Sequence, residues 1–401
     1  MPNRSGPLNK IRVVDLSSSY AAPTTSMYLA DMGADVIKVE PVRGDDARGW
    51  GPPFVGEDAA WYLTANRGKR SACLDFRSPA GLDATYKLIN SADVVLINIV
   101  PSKLASVGLD PLELRKRFPK LVVCVLSGYG MDGPDSGLPG YDLIAQARSG
   151  IMSVTGAAGG SPQRVSAPLS DVAAGTVAAF AIASALVRQQ TTGEGETIDV
   201  ALLEADLAFM RPRITCVRAG DPEPRPSGGS DSVVAIYQPF RTKDNPIVVA
   251  IGNDRHWERA RSALNLAEWT GTPDLASNSG RRNRRTEVVS AVQDAISTMT
   301  QDEALAVFNS AGIPAAPILS LSDVIEDKHL WARGALVERK TRTGEGYLDV
   351  APPWKLASVD RNDSFEAPAE KGAHTREILE SVGLSVELID NLVAEGAAWA
   401  S

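Results

Sequence analysis

The residue best placed to do chemistry is Asp171. It follows a loop and Ser170, and it precedes an Ala-rich run from Val172 to Arg188 that is interrupted only by Gly175. A side-chain oxygen at such a boundary accepts the orphan N–H groups of the first helical turn, so Ser170 and Asp171 read as an N-cap pair. A carboxylate at the positive end of a helix also tends to stay ionised. Asp171 is therefore either a cap or an anionic nucleophile. Tyr141 and Asp142 likewise precede a helical run, where a core tyrosine and a second N-cap are the plain reading.

Other chemistries have few residues to work with. The only histidines are His256, His329 and His374, which leaves little for a histidine-based metal site or a Ser-His-Asp triad. Gly128, Gly130 and Gly133 match G-x-G-x-x-G after a strand, but Pro134 to Pro139 follow where a nucleotide fingerprint needs a helix start. A plain Gly-rich loop is the expected structure there. The run Lys38, Arg43, Arg48, Arg67, Lys69 and Arg70 is dense for a chain of net charge −8. It could hold phosphates, or form ion pairs with Glu40, Asp45 and Asp46 on a solvated face.

The elements that must position these residues begin with a β-α-β unit. Ile11 to Leu16 is a strand, Thr24 to Met32 a helix ended by Gly33, and Ala34 to Glu40 a strand. The small residues of SSSYAAP join the first two as a tight turn or a ligand loop. Strands at Lys69 to Phe76, Asp93 to Val100 and Leu121 to Ser127 alternate with helices at Pro79 to Ser91 and Pro111 to Phe118. This alternation predicts an α/β, Rossmann-like layer. Asp221 to Ser232 reads as a linker or mobile loop. After it come a hairpin around KDN, then helices at Trp257 to Ala263, Arg282 to Thr298 and Gln301 to Ser310, which suggests a smaller α+β domain. The expected division is 1–222, 223–330 and 331–401, the last part returning to the large domain.

The 401 residues, 44% hydrophobic and 22% charged, suit a globular protein with a full core. Net negative charge argues against nucleic acid as partner. Three scattered cysteines without a C-x-x-C pair suggest free thiols in a reducing compartment. With no signal-peptide pattern in MPNRSGPLNK and a longest apolar run that is short and Ala-rich, the expectation is a cytoplasmic protein with no membrane partner.

Taken in order, VVDLSSSYAAP (Val13 to Pro23), LADMGADVIKVEP (Leu29 to Pro41), NRGKRSACLD (Asn66 to Asp75), LSGYGMDGP (Leu126 to Pro134), GYDLIAQARSG (Gly140 to Gly150), SDVAAG (Ser170 to Gly175), TGEGETIDVALLEA (Thr192 to Ala205) and GIPAAPI (Gly312 to Ile318) resemble the family III coenzyme A transferases. That resemblance implies two chains interlaced as linked rings, a homodimer, each with a Rossmann-like large domain and an inserted smaller α+β domain. It implies that Asp171 is a nucleophile that forms a mixed anhydride with the donor acyl group and then an aspartyl-CoA thioester. Tyr141 would stand near the acyl group. Coenzyme A would be held by Ser19, Tyr20 and Ala21, by Arg43 or Arg48, by Lys69 or Arg70, and by Asn98 and Ile99. The partners would be an acyl-CoA and a carboxylic acid acceptor. The coenzyme A thioester is then a substrate, and no cofactor or metal is permanently bound.

Two features depart from the family's pattern: Ser106 where some relatives carry Arg, and a short Ser227 to Ser230 turn where formyl-CoA transferase has a longer glycine run. Two other functions compete. A related racemase acting on α-methylacyl-CoA uses a His–Asp pair, but Tyr141 stands where that histidine would be, and a phenol of ordinary pKa near 10 is a poor base at neutral pH. A non-catalytic acyl-CoA-binding protein would need Asp171 only as a cap.

Overall fold

The computed structural model describes residues 5–266, 269, 271–357, 359 and 366–400. The chain divides into two compact units: residues 1–149, 166–211 and 328–401 form the first, and 150–165 with 212–327 the second.

The first unit is built on a seven-stranded sheet. Its strands are β1 (Arg12–Asp15), β2 (Asp35–Glu40), β3 (Lys69–Leu74), β4 (Val94–Ile97), β5 (Val122–Ser127), β6 (Glu196–Ala201) and β7 (Ala398–Trp399). They lie in the order β7-β3-β2-β1-β4-β5-β6. β1 to β6 are parallel, in registers such as Val14 beside Ile37 and Val95, while β7 runs antiparallel to β3. The near-continuous apolar content of β4 and β5 follows from burial on both faces, since crossover helices cover each side of a parallel sheet.

One face carries α1 (Ala21–Asp31) and a long helix. The sequence expectation placed the start of α1 at Thr24, but Tyr20 already occupies the cap position. The other face is covered by Pro79–Asn90 and by two C-terminal helices, Thr375–Ser381 and Val386–Ala394, whose Ile378, Leu379, Ile389 and Leu392 share a core with Val14, Ile37, Val95 and Val123.

The remaining helices of use below are α2 (Asp142–Arg148), α3 (Leu169–Thr192) and α4 (Leu202–Arg218). α3 is long and apolar enough by length and composition to cross a membrane. Its Ala174, Ala178 and Ile182 are buried in the core beside Ala21, Ala22 and Leu29 of α1.

The second unit holds a three-stranded antiparallel sheet in which Ile247–Ile251 lies between Ile236–Phe240 and Ala315–Pro317. The hairpin turns at the expected KDN. Trp257, Val288, Val292, Ala304 and Phe308 from its helices pack on that sheet. Two expectations change here. The unit begins at Pro212, inside α4, rather than in the Pro-rich stretch, and it also takes Gly150–Val165. The stretch from Asp221 to Ser232 is tied down within the unit: Arg282 pairs with Asp221 at 3.0 Å, Arg213 with Asp231 at 2.9 Å, and Asp231 accepts the Val233 and Val234 amides.

Candidate active site

The strand order reverses direction at the β1–β4 pair. In an open parallel sheet, the crevice above the carboxyl ends of such a pair is where a ligand can enter. β1 leads into Ser17, Ser18 and Ser19, and β4 leads into Asn98. The two loops are joined: Asn98 Nδ2 donates to the Ser18 carbonyl at 2.7 Å, and the Ser18 N–H donates to Asn98 Oδ1 at 3.1 Å. Ser19 has a φ of 72°, a left-handed conformation that is unusual for a residue with a side chain. Its N–H donates to Asp45 Oδ1 at 3.2 Å, and Asp45 Oδ2 lies 2.7 Å from the buried Lys38 ammonium. SSSYAAP is thus a held loop rather than a plain turn.

The second wall is the start of α3. A Cβ added to Gly175 would lie 2.8 Å from the Ala21 carbonyl oxygen and 3.1 Å from Thr24 Cβ, so glycine lets α3 approach the head of α1. Asp171 sits in the first turn of α3. The helix begins at Leu169, its cap position is Pro168, and no side chain of its own caps it. This corrects the expected Ser170–Asp171 cap pair. The capping oxygen comes from another helix: Asp142 Oδ1 accepts the Ser170 N–H at 2.8 Å. Asp171 is left with no hydrogen bond or ion pair among the described residues.

Its charge is also not held as expected. Burial, then the Asp142 and Asp206 carboxylates, push the Asp171 carboxyl up to about 7. Desolvation and like charges outweigh the favourable end of the helix, which is worth at most about 2 kcal/mol at a partly buried site.

The third wall is the loop that held the G-x-G-x-x-G match. It makes no helix start until Asp142. A Cβ on Gly128 would lie 2.6 Å from Gly140 Cα, so the two glycines let the loop close on itself. That closure sets Tyr141 beside the end of β5. Tyr141 is 61% exposed, an open side chain rather than a core tyrosine.

Together these walls enclose a cleft of about 210 Å³. Ser19, Ala21, Asn98, Tyr141 and Asp171 line it, joined by Ser18 and Trp50. No histidine lines it, so the pair needed for racemisation is missing from its walls.

The other expected residues lie elsewhere. Tyr20 stacks edge-on against Trp61, with its hydroxyl 3.2 Å from Thr64 Oγ1. Ile99 packs on the core beneath the sheet. Arg43 is exposed and pairs with Asp46 at 3.1 Å. Arg48 is spent on Glu40 at 2.8 Å, Asp58 at 3.2 Å and the Tyr62 hydroxyl at 2.6 Å. Lys69 is buried against Asp15, Asn66 Oδ1 and the Pro23 carbonyl, and Arg70 is bidentate to Asp35. As placed, Arg48, Lys69 and Arg70 offer no free guanidinium or ammonium to a phosphate. They form ion pairs, but in the interior or half-buried rather than on a solvated face, and only Arg48 uses an expected acid, Glu40; Lys69 takes Asp15 and Arg70 takes Asp35.

Ser18, Asp142 and Asp206 were not singled out as site residues from the sequence. The first two sit beside residues that were. The signal for Asp206 is an acid inside the apolar run ALLEADLAF, on a face that also buries Leu202, Ala205 and Met210.

A larger cleft of about 600 Å³ lies within the second unit beside Arg213, Arg282 and Arg285. Its Asp221 and Asp231 are already paired with arginines. The smaller cleft, with an unpaired carboxylate at the strand-order reversal, is the candidate active site. No cluster able to hold a metal ion occurs among the described residues.

Residues 8–375 match CoA-transferase family III. The chain is 35% identical over 388 residues to a succinate–glutarate CoA-transferase of Agrobacterium fabrum, covering 94% of this chain and 96% of that protein. It is 30% identical to a formyl-CoA:oxalate CoA-transferase of Afipia carboxidovorans, covering 94% and 93%. The crystal structure of a CAIB/BAIF family protein from Brucella suis superposes with a TM-score of 0.80 at 31% identity, over 94% of this chain and all of that one.

Proposed function

Because the chain belongs to CoA-transferase family III and is an enzyme that moves coenzyme A between acids, we propose that Asp171 is the nucleophile of that transfer. The observation that carries this reading is that Asp171 opens into the cleft with no cation or donor engaged among the described residues. A structural carboxylate would have a partner.

The reaction runs as two exchanges. An Asp171 oxygen attacks the thioester carbonyl carbon of the donor, the C–S bond breaks, and the thiolate leaves with the electron pair. The thiolate then attacks the aspartyl carbonyl of the mixed anhydride, releasing the donor acid and leaving an aspartyl-CoA thioester. The acceptor carboxylate attacks that thioester, and the same two steps run in reverse. Since each intermediate is an activated acyl group, no nucleoside triphosphate is consumed.

The Ser18–Ser19 turn, clamped by Asn98, and the small side chain of Ala21 leave room for the thioester arm. Tyr141, at the open side, contacts the acyl group, and exposed Arg43 is the remaining candidate for a phosphate contact. The acceptor is a dicarboxylic acid, as the name of the Agrobacterium relative indicates for that protein. Two copies form an interlaced homodimer, which would cover the apolar stripe Val177, Phe180 and Val187 left exposed on α3. The free thiols of Cys73, Cys124 and Cys216 suit the cytoplasm.

A thioester-exchange screen by mass spectrometry tests the proposal. Purified protein is offered succinyl-, acetyl- and formyl-CoA with a panel of mono- and dicarboxylic acids. Exchange with a dicarboxylate supports it. Binding of acyl-CoA without exchange to any acid contradicts it.

A further inference from the structure

Behind Asp171 lies an acid that the mechanism above does not use. Asp206 of α4 is fully buried. Its Oδ2 accepts from Ser170 Oγ at 2.8 Å and from Ser149 Oγ at 3.3 Å. Its Oδ1 is buried without a hydrogen-bond partner among the described residues. Burial pushes the Asp206 carboxyl up, and the Ser170 and Ser149 hydroxyls that donate to it work the other way and favour its anion.

Ser170, the residue next to Asp171, is therefore held by two acids. Asp142 of α2 takes its N–H, and Asp206 takes its hydroxyl. The second oxygen of Asp142 accepts from Gln146 Nε2 at 2.8 Å. The charged and titratable groups acting on Asp171 are Asp142 from α2 and Asp206 from α4; Asp171 in turn acts on the Tyr20 phenol at the head of α1. No cation figures among them.

We propose that Asp206 is a positioning residue for the transfer reaction: it fixes Ser170 from the core side and places behind Asp171 a negative charge whose repulsion is relieved when Asp171 is acylated. The inference rests on Asp171 being the nucleophile. In the first step the Asp171 oxygen bonds to the acyl carbon, the C–S bond breaks, and the electron pair departs on sulfur. The negative charge thus leaves the first turn of α3. Asp142 and Asp206 oppose a charged Asp171 but not a neutral anhydride or thioester. The same repulsion that favours a proton on Asp171 favours an acyl group there. Asp142 also caps the helix backbone, whereas Asp206 touches only side chains, so its charge can be removed with less disturbance.

The test compares pH profiles of kcat/KM for acyl-CoA in the wild type, Asp206→Asn and Ser170→Ala, with Asp206→Ser as a second neutral variant should Asp206→Asn not fold. Asp206→Asn keeps the shape and removes the charge. Its acid limb is expected at lower pH by about one unit, the scale of a nearby like charge. Its acyl-enzyme fraction, trapped with hydroxylamine, is expected to fall about tenfold, the same shift expressed as an equilibrium. Ser170→Ala keeps the carboxyl but removes one of the two donors that favour its anion, so its limb is expected to move in the same direction by clearly less than that of Asp206→Asn. A neutral variant whose limb coincides with the wild type overturns the proposal, whatever happens to kcat. An equal shift in Ser170→Ala overturns it too. Turnover by Asp171→Ala would instead overturn the nucleophile reading itself, so the two failures are distinguishable.

Discussion

Asn98 and Ser18 are bound to each other twice, amide to carbonyl and N–H to amide oxygen, at 2.7 and 3.1 Å. This reciprocal clamp ties the loop after β1 to the loop after β4 where the strand order reverses. It fixes one wall of the cleft without involving any residue that reacts. Asn98 is thereby part of the binding wall, and its loss should be felt in substrate affinity before chemistry.

Asn98→Ala removes both hydrogen bonds, each worth about 0.5–1.5 kcal/mol net. The KM for acyl-CoA should rise roughly tenfold, consistent with a loss of about 1.4 kcal/mol in binding. Steady-state kinetics checks this, with kcat expected to change less than KM.

Asp171 should make the protein less stable as pH rises. Its folded-state carboxyl is pushed up to about 7 against an ordinary 3.8. Between those values the native chain holds a proton that the unfolded chain has lost, so stability falls as pH climbs through that window and then levels off. Asp171→Asn removes the effect. Its melting temperature should exceed that of the wild type at pH 8, and the gap should close near pH 4.

Gly175→Ala sets two effects against each other. Helix propensity alone favours alanine by about 1 kcal/mol. The added Cβ, however, meets the Ala21 carbonyl oxygen at 2.8 Å and Thr24 at 3.1 Å. Overpacking of this kind costs about 1–3 kcal/mol, so the variant should be destabilised in urea titration. Turnover should fall as well, because α3 carries Asp171.

Lys69 and Arg43 should separate stability from binding. Lys69→Ala takes one of two nearby ammonium groups from the buried Asp15 carboxylate, which keeps its Ser17 and Ser26 donors and the attraction of Lys38, and breaking a buried pair costs up to about 3–5 kcal/mol. Arg43→Ala breaks only an exposed pair, worth about 0–1 kcal/mol. Denaturant titration should show a large loss for Lys69→Ala and almost none for Arg43→Ala. The KM for acyl-CoA should rise for Arg43→Ala.

The strands were legible in the sequence because apolar runs such as VVLI and VVCVLS announce burial on both faces. Their spatial order was not, since pairing is a long-range relation. Asn98 gains its role only once β4 lies beside β1. Residue types also hid which partner each would find. Ser170 and Asp171 have the chemistry of a helix cap, yet the cap comes from Asp142, 28 positions earlier. Lys69 and Arg70 have the charge of phosphate ligands, yet strand alternation and neighbouring acids turn them into ion pairs. Asp171 itself was found by its place before an Ala-rich helix. Its raised pKa was not, because it arises first from burial and then from the Asp142 and Asp206 carboxylates, which only the fold brings to that turn.

The most direct measurement is mass spectrometry of the protein after incubation with succinyl-CoA and quenching with hydroxylamine. A hydroxamate on the Asp171 peptide, absent from Asp171→Ala, is the expected result. Full transfer by Asp171→Ala, or an adduct on another residue alone, would contradict the nucleophile assigned to this cleft.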